Sequence, residues 1–312
     1  MKHRVLTDVG LMSTFVHTVF EAACNAGASD IHIDPGEELV SIRFRVLGVL
    51  EKYEEIDKKL KDEIIGRIKV LSKIRTDVHD RAQDGRCTYS FRNERVDMRV
   101  SIVPTFYGEN AVIRLLRPKL RRDVSFEALG FTAVQQSLLE DVLDRGKGMI
   151  LVSGATGSGK TTTIYACVQE LAQQGKNIVT IEDPVEYVVP GVRQIQIQEK
   201  TFPFIEGLKA VLRQDPEVIV IGEIRDTDTA QLAFRAALTG HLVIASIHAD
   251  KAYGVVGRLI DLGVSKGVLP LLQLVIGQQL VPIHDDEGRL ISRKGIYEVL
   301  SGELSDVIRN YS

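Results

Sequence analysis

The run GATGSGKT, residues 154–161, matches the pattern G-x-x-x-x-G-K-[ST]. In such a loop successive backbone N–H groups point inward and cradle phosphate oxygens. Its glycines allow backbone conformations that a side chain would forbid. Gly154, Thr156, Gly157, Ser158, Gly159 and Thr162 are candidate nucleotide-binding residues beside Lys160 and Thr161. Lys160 would reach the β and γ phosphates, and Thr161 would ligate Mg²⁺. The bare pattern arises by chance on the order of once per hundred chains of this size. Here it also follows the apolar strand MILVS and opens the helical stretch TTTIYACVQELA, whose dipole favours negative charge at its start. That context selects a phosphate site over a ligand-free glycine turn.

Metal-assisted phosphoryl chemistry also needs carboxylates, to support the hydrated metal and to prepare a water. In parallel sheets such groups stand at the carboxyl ends of strands. VIVIGEIRD places Glu223 at the end of one apolar run, and IVTIEDPVEY places Glu182, Asp183 and Glu186 after another. A third segment, TGHLVIASIHAD, has a histidine at each end of an apolar run, His241 and His248. If the run is one extended strand, the two lie roughly 23 Å apart at about 3.3 Å per residue. Their odd spacing also puts them on opposite faces, so they cannot share a metal.

These groups need a frame. The strand-like runs GMILVSG, NIVTIED, PEVIVIGEIRD and GHLVIASIH alternate with helical stretches. They are nearly continuous in apolar residues, the mark of a parallel sheet covered by helices on both faces. Upstream, IHI (31–33) and LVSIRFRVLGVL (39–50) alternate with the period of a strand, KKLKDEIIGRIKVLSKI has helical spacing, and RVDMRVSIVPT and ENAVIRLLR read as further strands. That predicts a smaller α+β domain over 1–118, a linker over 119–124 containing the solvated KLRR cluster, and an α/β domain over 125–312. VLPLLQLVIGQQLVPI, with Gln273, Gln278 and Gln279, reads as a core helix, too polar to cross a membrane. The N-terminal segment reads as an amphipathic helix rather than a secretory signal, because Asp8, His17 and Glu21 interrupt its apolar run.

Lys+Arg number 39 and Asp+Glu 42, a net charge of −3, which predicts no general attraction to nucleic acid or to anionic membrane. The three cysteines, Cys24, Cys87 and Cys167, include no CxxC pair. This fits a reducing cytosol and argues against a disulfide framework or a thiolate zinc site.

GATGSGKTTT, TIEDPVEY, IGEIRDTDTA and TGHLVIASIHAD occur in the order and approximate spacing of the secretion ATPases, and the chain resembles that family. Its members are hexameric motors of type II secretion, type IV pilus and competence pseudopilus systems. ASDIHIDP, IRFRVLGVL, AQDGR, DMRVSIVPT and VIRLLR resemble the family's N-terminal domain, so the likeness covers almost the whole chain. With ASDIHI close to its start, NIVTIEDPVEY and the later RKGIYEVLSG, the chain looks most like the competence assembly ATPase of Gram-positive bacteria, and the resemblance leads us to expect no docking domain of the kind longer relatives carry.

The resemblance implies a PAS-like α+β domain before a RecA-like ATPase domain, with ATP and Mg²⁺ as ligands. It makes Glu223 the Walker B glutamate and Glu186 part of an acidic box, one preparing the water and the other supporting the metal. It makes Arg99 and Arg114 arginines brought to the γ-phosphate; on the residues alone each reads as a surface salt bridge. His248 would sense the nucleotide, and His241 would couple subunits or remain a satisfied core histidine. The implied partners are copies of the chain itself, in a homo-hexamer, and an inner-membrane platform protein. The implied location is cytoplasmic, peripheral at the inner face of the membrane, with no direct nucleic-acid binding.

The chain departs from the family at several points. IHDDEGRLISRKG has no cysteine where the family often carries a four-cysteine zinc motif, so no structural zinc is expected, and His284, Asp285 and Asp286 read as a polar turn. Ala249 and Asp250 replace the usual threonine and asparagine, the usual arginine near Gln279 is missing, and the C-terminal helical region reads as short. The rival readings are a pilus retraction motor of the same family, an ATP-binding assembly scaffold, a small-molecule kinase and a DNA-translocating ATPase. Retention of Lys160 and the acids argues against the scaffold, and the strand-rich N-terminal domain against the kinase. The near-neutral charge argues against the DNA translocase.

Overall fold

Residues 9–92, 94–116, 125–186, 188–197, 201–285, 287, 290–302 and 304–310 are described in a computed structural model. The chain divides into two compact units, Met1–Lys119 and Leu120–Ser312. The expected linker lies outside the described residues, as does Asp286 of the expected polar turn.

The first unit is a six-stranded sheet with helices on one face. Helix α1 (Val9–Ala26) precedes strands β1 (Asp30–Pro35), β2 (Leu39–Val46) and β3 (Val49–Asp57). Helix α2 (Lys61–Leu71) follows, then β4 (Gln83–Phe91), β5 (Glu94–Thr105) and β6 (Gly108–Leu116). The strand order is β3-β2-β1-β6-β5-β4, with every neighbour antiparallel. Met12, Phe15, Val16, Val19, Phe20 and Ala23 lie at i, i+3, i+4, i+7, i+8 and i+11, which makes one apolar stripe on α1. That stripe shares a buried core with Ile31, Ile33, Ile42, Phe44, Val100 and Ile113 of the sheet and with Ile64, Ile65 and Ile68 of α2.

The run 39–50, expected as one strand, is two. Leu47 and Gly48 both take positive φ, 48° and 85°, and turn the chain back on itself between β2 and β3. Strand β4 was not expected. Its residues alternate between half-buried and exposed along an edge of the sheet, and the run carries few of the β-branched residues that mark a strand.

The second unit is a three-layer α/β sandwich. After α3 (Phe126–Leu129) and α4 (Ala133–Arg145) come β7 (Gly148–Ser153), α5 (Lys160–Gln173), β8 (Ile178–Glu182), β9 (Arg193–Gln196) and α6 (Phe204–Val211). Then follow β10 (Val218–Ile224), α7 (Thr227–Leu238), β11 (Leu242–Ile247), α8 (Gly254–Asp261), β12 (Leu272–His284), β13 (Leu290–Leu300) and α9 (Leu304–Asn310). The sheet order is β13-β12-β7-β11-β10-β8-β9, parallel throughout except for the β12–β13 hairpin.

Because side chains alternate along a strand, odd-numbered Met149, Leu151, Ile219, Ile221, Val243 and Ala245 pack in one core with α6 to α9. Even-numbered Ile150, Val152, Val218, Val220, Leu242 and Ile244 pack in another with α3 to α5. Helix ends follow local chemistry: Thr132 and Gln135 form a capping box on α4, and Asp226 caps α7 by accepting from Thr229 N.

The run read as a core helix, 268–283, is not one. A short 3-10 turn over Lys266–Leu271 holds Pro270, and β12 then begins. Both neighbouring ladders explain the outcome. β12 pairs in parallel with β7 and antiparallel with β13, so the β-branched Val275, Ile276 and Val281 gain cross-strand partners that an isolated reading cannot see. Among the described residues no helix is long and apolar enough to cross a membrane.

One buried charge stands out in the first unit. Lys69 on α2 is 0% exposed, and its ammonium lies 2.7 Å from a carboxylate oxygen of Glu109 while donating to the carbonyl of Val78 at 2.6 Å. His79 Nδ1 lies 2.7 Å from the same carboxylate. The cluster fastens the segment between α2 and β4 to β6. Removing one member strands a charge that water cannot reach, so Glu109→Leu should destabilise this unit by about 3–5 kcal/mol. The paired change Lys69→Met with Glu109→Leu should recover most of that loss. Urea unfolding of the full chain checks both, and equal losses in the single and double variants would contradict the ion-pair account.

Candidate active site

A cleft of about 550 Å³ opens at the carboxyl ends of β7, β8, β10 and β11. The phosphate-loop run joins β7 to α5, with Gly154, Gly157 and Gly159 at φ of 146°, 79° and 90°. Thr156, Gly157, Gly159, Lys160 and Thr161 line the cleft. Lys160, Thr161 and Thr162 form the first turn of α5, where backbone N–H groups have no partner within the helix. Ser158 is buried. The Lys160 ammonium donates to the carbonyls of Gly154 at 2.7 Å and Ala155 at 3.0 Å. Burial pushes it below the ordinary lysine range, and the Glu223 carboxylate opposes that shift. A phosphate in the loop would oppose it further.

The acids of the cleft sit in three different environments. Glu223, near the end of β10, lies 3.0 Å from His248 Nε2 through one oxygen, and through the other accepts from Arg225 Nε at 2.9 Å. Glu186 is exposed and lines the same cleft from the segment after β8. Glu182, at the end of β8, is only 6% exposed. It accepts from the Tyr165 hydroxyl, from Thr180 Oγ1 at 2.6 Å and from Gln194 Nε2 at 3.1 Å. Both of its oxygens accept from protein donors, which ties α5, β8 and β9 together. Gln194 extends this network by accepting from Val189 N at 2.7 Å, within the segment that follows Glu186. Sequence reasoning gave no role to Tyr165, Gln194 or Arg225: the first two meet Glu182 from 17 and 12 positions away, and Arg225 meets Glu223 because alternate residues of an extended run face the same way.

The two histidines stand at opposite ends of β11, as expected, and do not meet. His248 lines the cleft. His241 Nδ1 lies 3.0 Å from both the Ala236 carbonyl and Thr239 Oγ1, at the close of α7. Among the described residues no three His, Cys, Asp or Glu side chains gather as a metal-binding group.

Arg99 and Arg114 belong to the first unit, where they stand directly opposite each other on β5 and β6. The register extends the row to Arg45, Asp30, Arg114, Arg99 and Arg86 on β2, β1, β6, β5 and β4. Like charges placed opposite one another repel, and Asp30 offsets part of this. It accepts from Arg114 Nε at 2.9 Å and lies 3.8 Å from Arg45. Arg114 therefore does form the salt bridge that its residue type alone suggested.

The family model described as type II/IV secretion system protein matches residues 5–301. The type II secretion system ATPase E of Vibrio cholerae is 42% identical over 268 residues, covering 85% of this chain and 53% of its own length. The type II secretion system protein E of Pectobacterium carotovorum is likewise 42% identical, over 85% of this chain and 54% of its own length. The chain thus spans about half the length of these curated relatives.

Among solved structures, the ADP-bound pilus retraction motor PilT superposes with a TM-score of 0.70 at 28% identity, over 95% of this chain and 86% of PilT. The Legionella pneumophila ATPase DotB superposes with a TM-score of 0.77 at 22% identity, over 96% of this chain and 87% of DotB, and shares the fold. With its RecA-like α/β unit preceded by a strand-rich one, and a family match over nearly its whole length, this chain belongs to the type II/IV secretion system protein family.

Proposed function

We propose that the chain is the ATP-hydrolysing part of a motor that powers assembly of a type IV pilus-like filament or competence pseudopilus, in DNA uptake or type II secretion. The observation that carries this reading is the convergence of the phosphate-loop run, Glu186, Glu223 and His248 on one cleft at the carboxyl ends of parallel strands. The names of the matched relatives, type II secretion ATPase E and pilus retraction motor, support the same class of work. Assembly rather than retraction rests on the sequence resemblance alone.

In this reading the loop amides and Lys160 bind the β and γ phosphates of ATP, and α5 presents its positive end to them. Thr161, Glu186 and Glu223 are oxygen donors of the hard type that Mg²⁺ takes alongside phosphate oxygens, and all three line the cleft. A magnesium ion bound with the nucleotide supplies neutralisation of the phosphate charge. Glu223 and Glu186 divide the work of orienting the attacking water and supporting the metal, and His248 links the Glu223 carboxylate to the nucleotide state. Arg99 and Arg114 neutralise charge developing on the γ-phosphate. The working form is a homo-hexamer acting on an inner-membrane platform protein at the cytoplasmic face.

Lys160→Ala should weaken Mg·ATP binding by about tenfold or more, read by isothermal titration. Glu223→Gln and Glu186→Gln should each lower kcat, by about 10²–10⁴ for the one that acts as general base, with nucleotide still bound. The variant whose loss persists at saturating Mg²⁺ identifies that base, and full activity in both would refute a carboxylate mechanism in this cleft.

Activity per subunit should rise with protein concentration and fall in Arg99→Ala. A rate indifferent to both concentration and Arg99 would exclude a site shared between subunits.

A further inference from the structure

Strand β12 pairs in parallel with β7, the strand from which the phosphate loop springs, and Gly277 stands opposite Ser153. The next residue, Gln278, is 3% exposed in a largely apolar strand. A buried amide is costly unless its hydrogen bonds are made, and this one uses both ends. Nε2 donates to the Ser158 carbonyl at 2.8 Å, and Oε1 accepts from Thr163 Oγ1 at 2.7 Å. The orientation is dictated chemically, because a carbonyl can only accept and so must face the NH₂ group.

A trans peptide is planar, with its C=O and N–H pointing in opposite directions. Holding the Ser158 carbonyl toward Gln278 therefore aims the Gly159 N–H away from β12. Gln278 also touches both ends of the loop sterically. A Cβ on Gly159 would stand 2.7 Å from Gln278 Nε2, and one on Gly154 would strike the backbone carbonyl oxygen of Gln278. By contrast, a Cβ on Gly157 would meet nothing within 4 Å. Two of the three glycines in the motif are thus hemmed in by one residue that lies about 120 positions further along the chain.

We propose that Gln278 is a positioning residue for the phosphate loop: its amide sets the orientation of the Ser158–Gly159 peptide, and through it the affinity for nucleotide, without touching the nucleotide. The proposal rests on reading the cleft as a nucleotide site.

Two variants of the full chain test it, read by binding of a fluorescent ADP with Mg²⁺ and by steady-state hydrolysis. Gln278→Met keeps the length and loses the donor. Gln278→Glu keeps the shape but, when ionised, faces the Ser158 carbonyl with a second acceptor, whereas its protonated form can donate. Both should raise the ADP Kd by about tenfold near neutral pH, with KM rising more than kcat falls. In Gln278→Glu the Kd should fall back toward the wild-type value as the pH is lowered, while in Gln278→Met and the wild type the ratio to neutral pH should not follow that course. A Kd unchanged in either variant, or a loss in Gln278→Glu that acid does not relieve, would overturn the positioning role while leaving the nucleotide site standing. A wild-type chain that binds no ADP would overturn both.

Discussion

The second unit is organised by a single constraint: its parallel sheet is buried on both faces. Along β7, β8, β10 and β11 most odd-numbered residues are consumed by packing against α6 to α9 and most even-numbered ones by packing against α3 to α5. No face of a central strand is left to do chemistry, so reactive groups can stand only where strands end. Gly154, Glu182, Glu223 and His248 each lie within one residue of the carboxyl end of a strand, and the four segments that hold them are brought to one cleft by that geometry.

Within the cleft, identical residue types part company according to their surroundings. Glu182 is buried under three donors and becomes framework. Glu223 is steered by a histidine on one oxygen and an arginine on the other. Glu186 remains exposed. In water the three carboxylates would be equivalent, and here their burial and the number and kind of their partners separate them. The first unit applies the same rule to cations: five strands place four arginines and a single aspartate in one row, and Asp30 is bonded to Arg114 and close to Arg45.

Much of this was legible in the order of residues. Nearly unbroken apolar runs announced β7, β8, β10 and β11, because a strand covered on both sides has no polar face to display. Helix α1 was legible from its stripe, and the separation of the two histidines followed from strand geometry alone. Three features were not legible. The division of 39–50 depended on two residues with positive φ. Strand β4 depended on the neighbour it pairs with. Strand β12 depended on the two ladders that flank it, and one of its glutamines reaches across to the phosphate loop.

The sequence by itself determined the local chemistry: which segments are extended or helical when their burial is complete, where a loop can cradle phosphate, and which acids follow apolar runs. These properties depend on side chains and φ/ψ preferences within a few residues, and so can be read without the fold. The tertiary structure alone decided which acid was spent as framework, which arginines face each other, and which distant side chain holds the phosphate loop. Those outcomes depend on strand register and on hydrogen bonds between residues well separated along the chain, 17 positions for Tyr165 and Glu182 and 120 for Ser158 and Gln278. Such pairs exist only once burial excludes water as the competing partner.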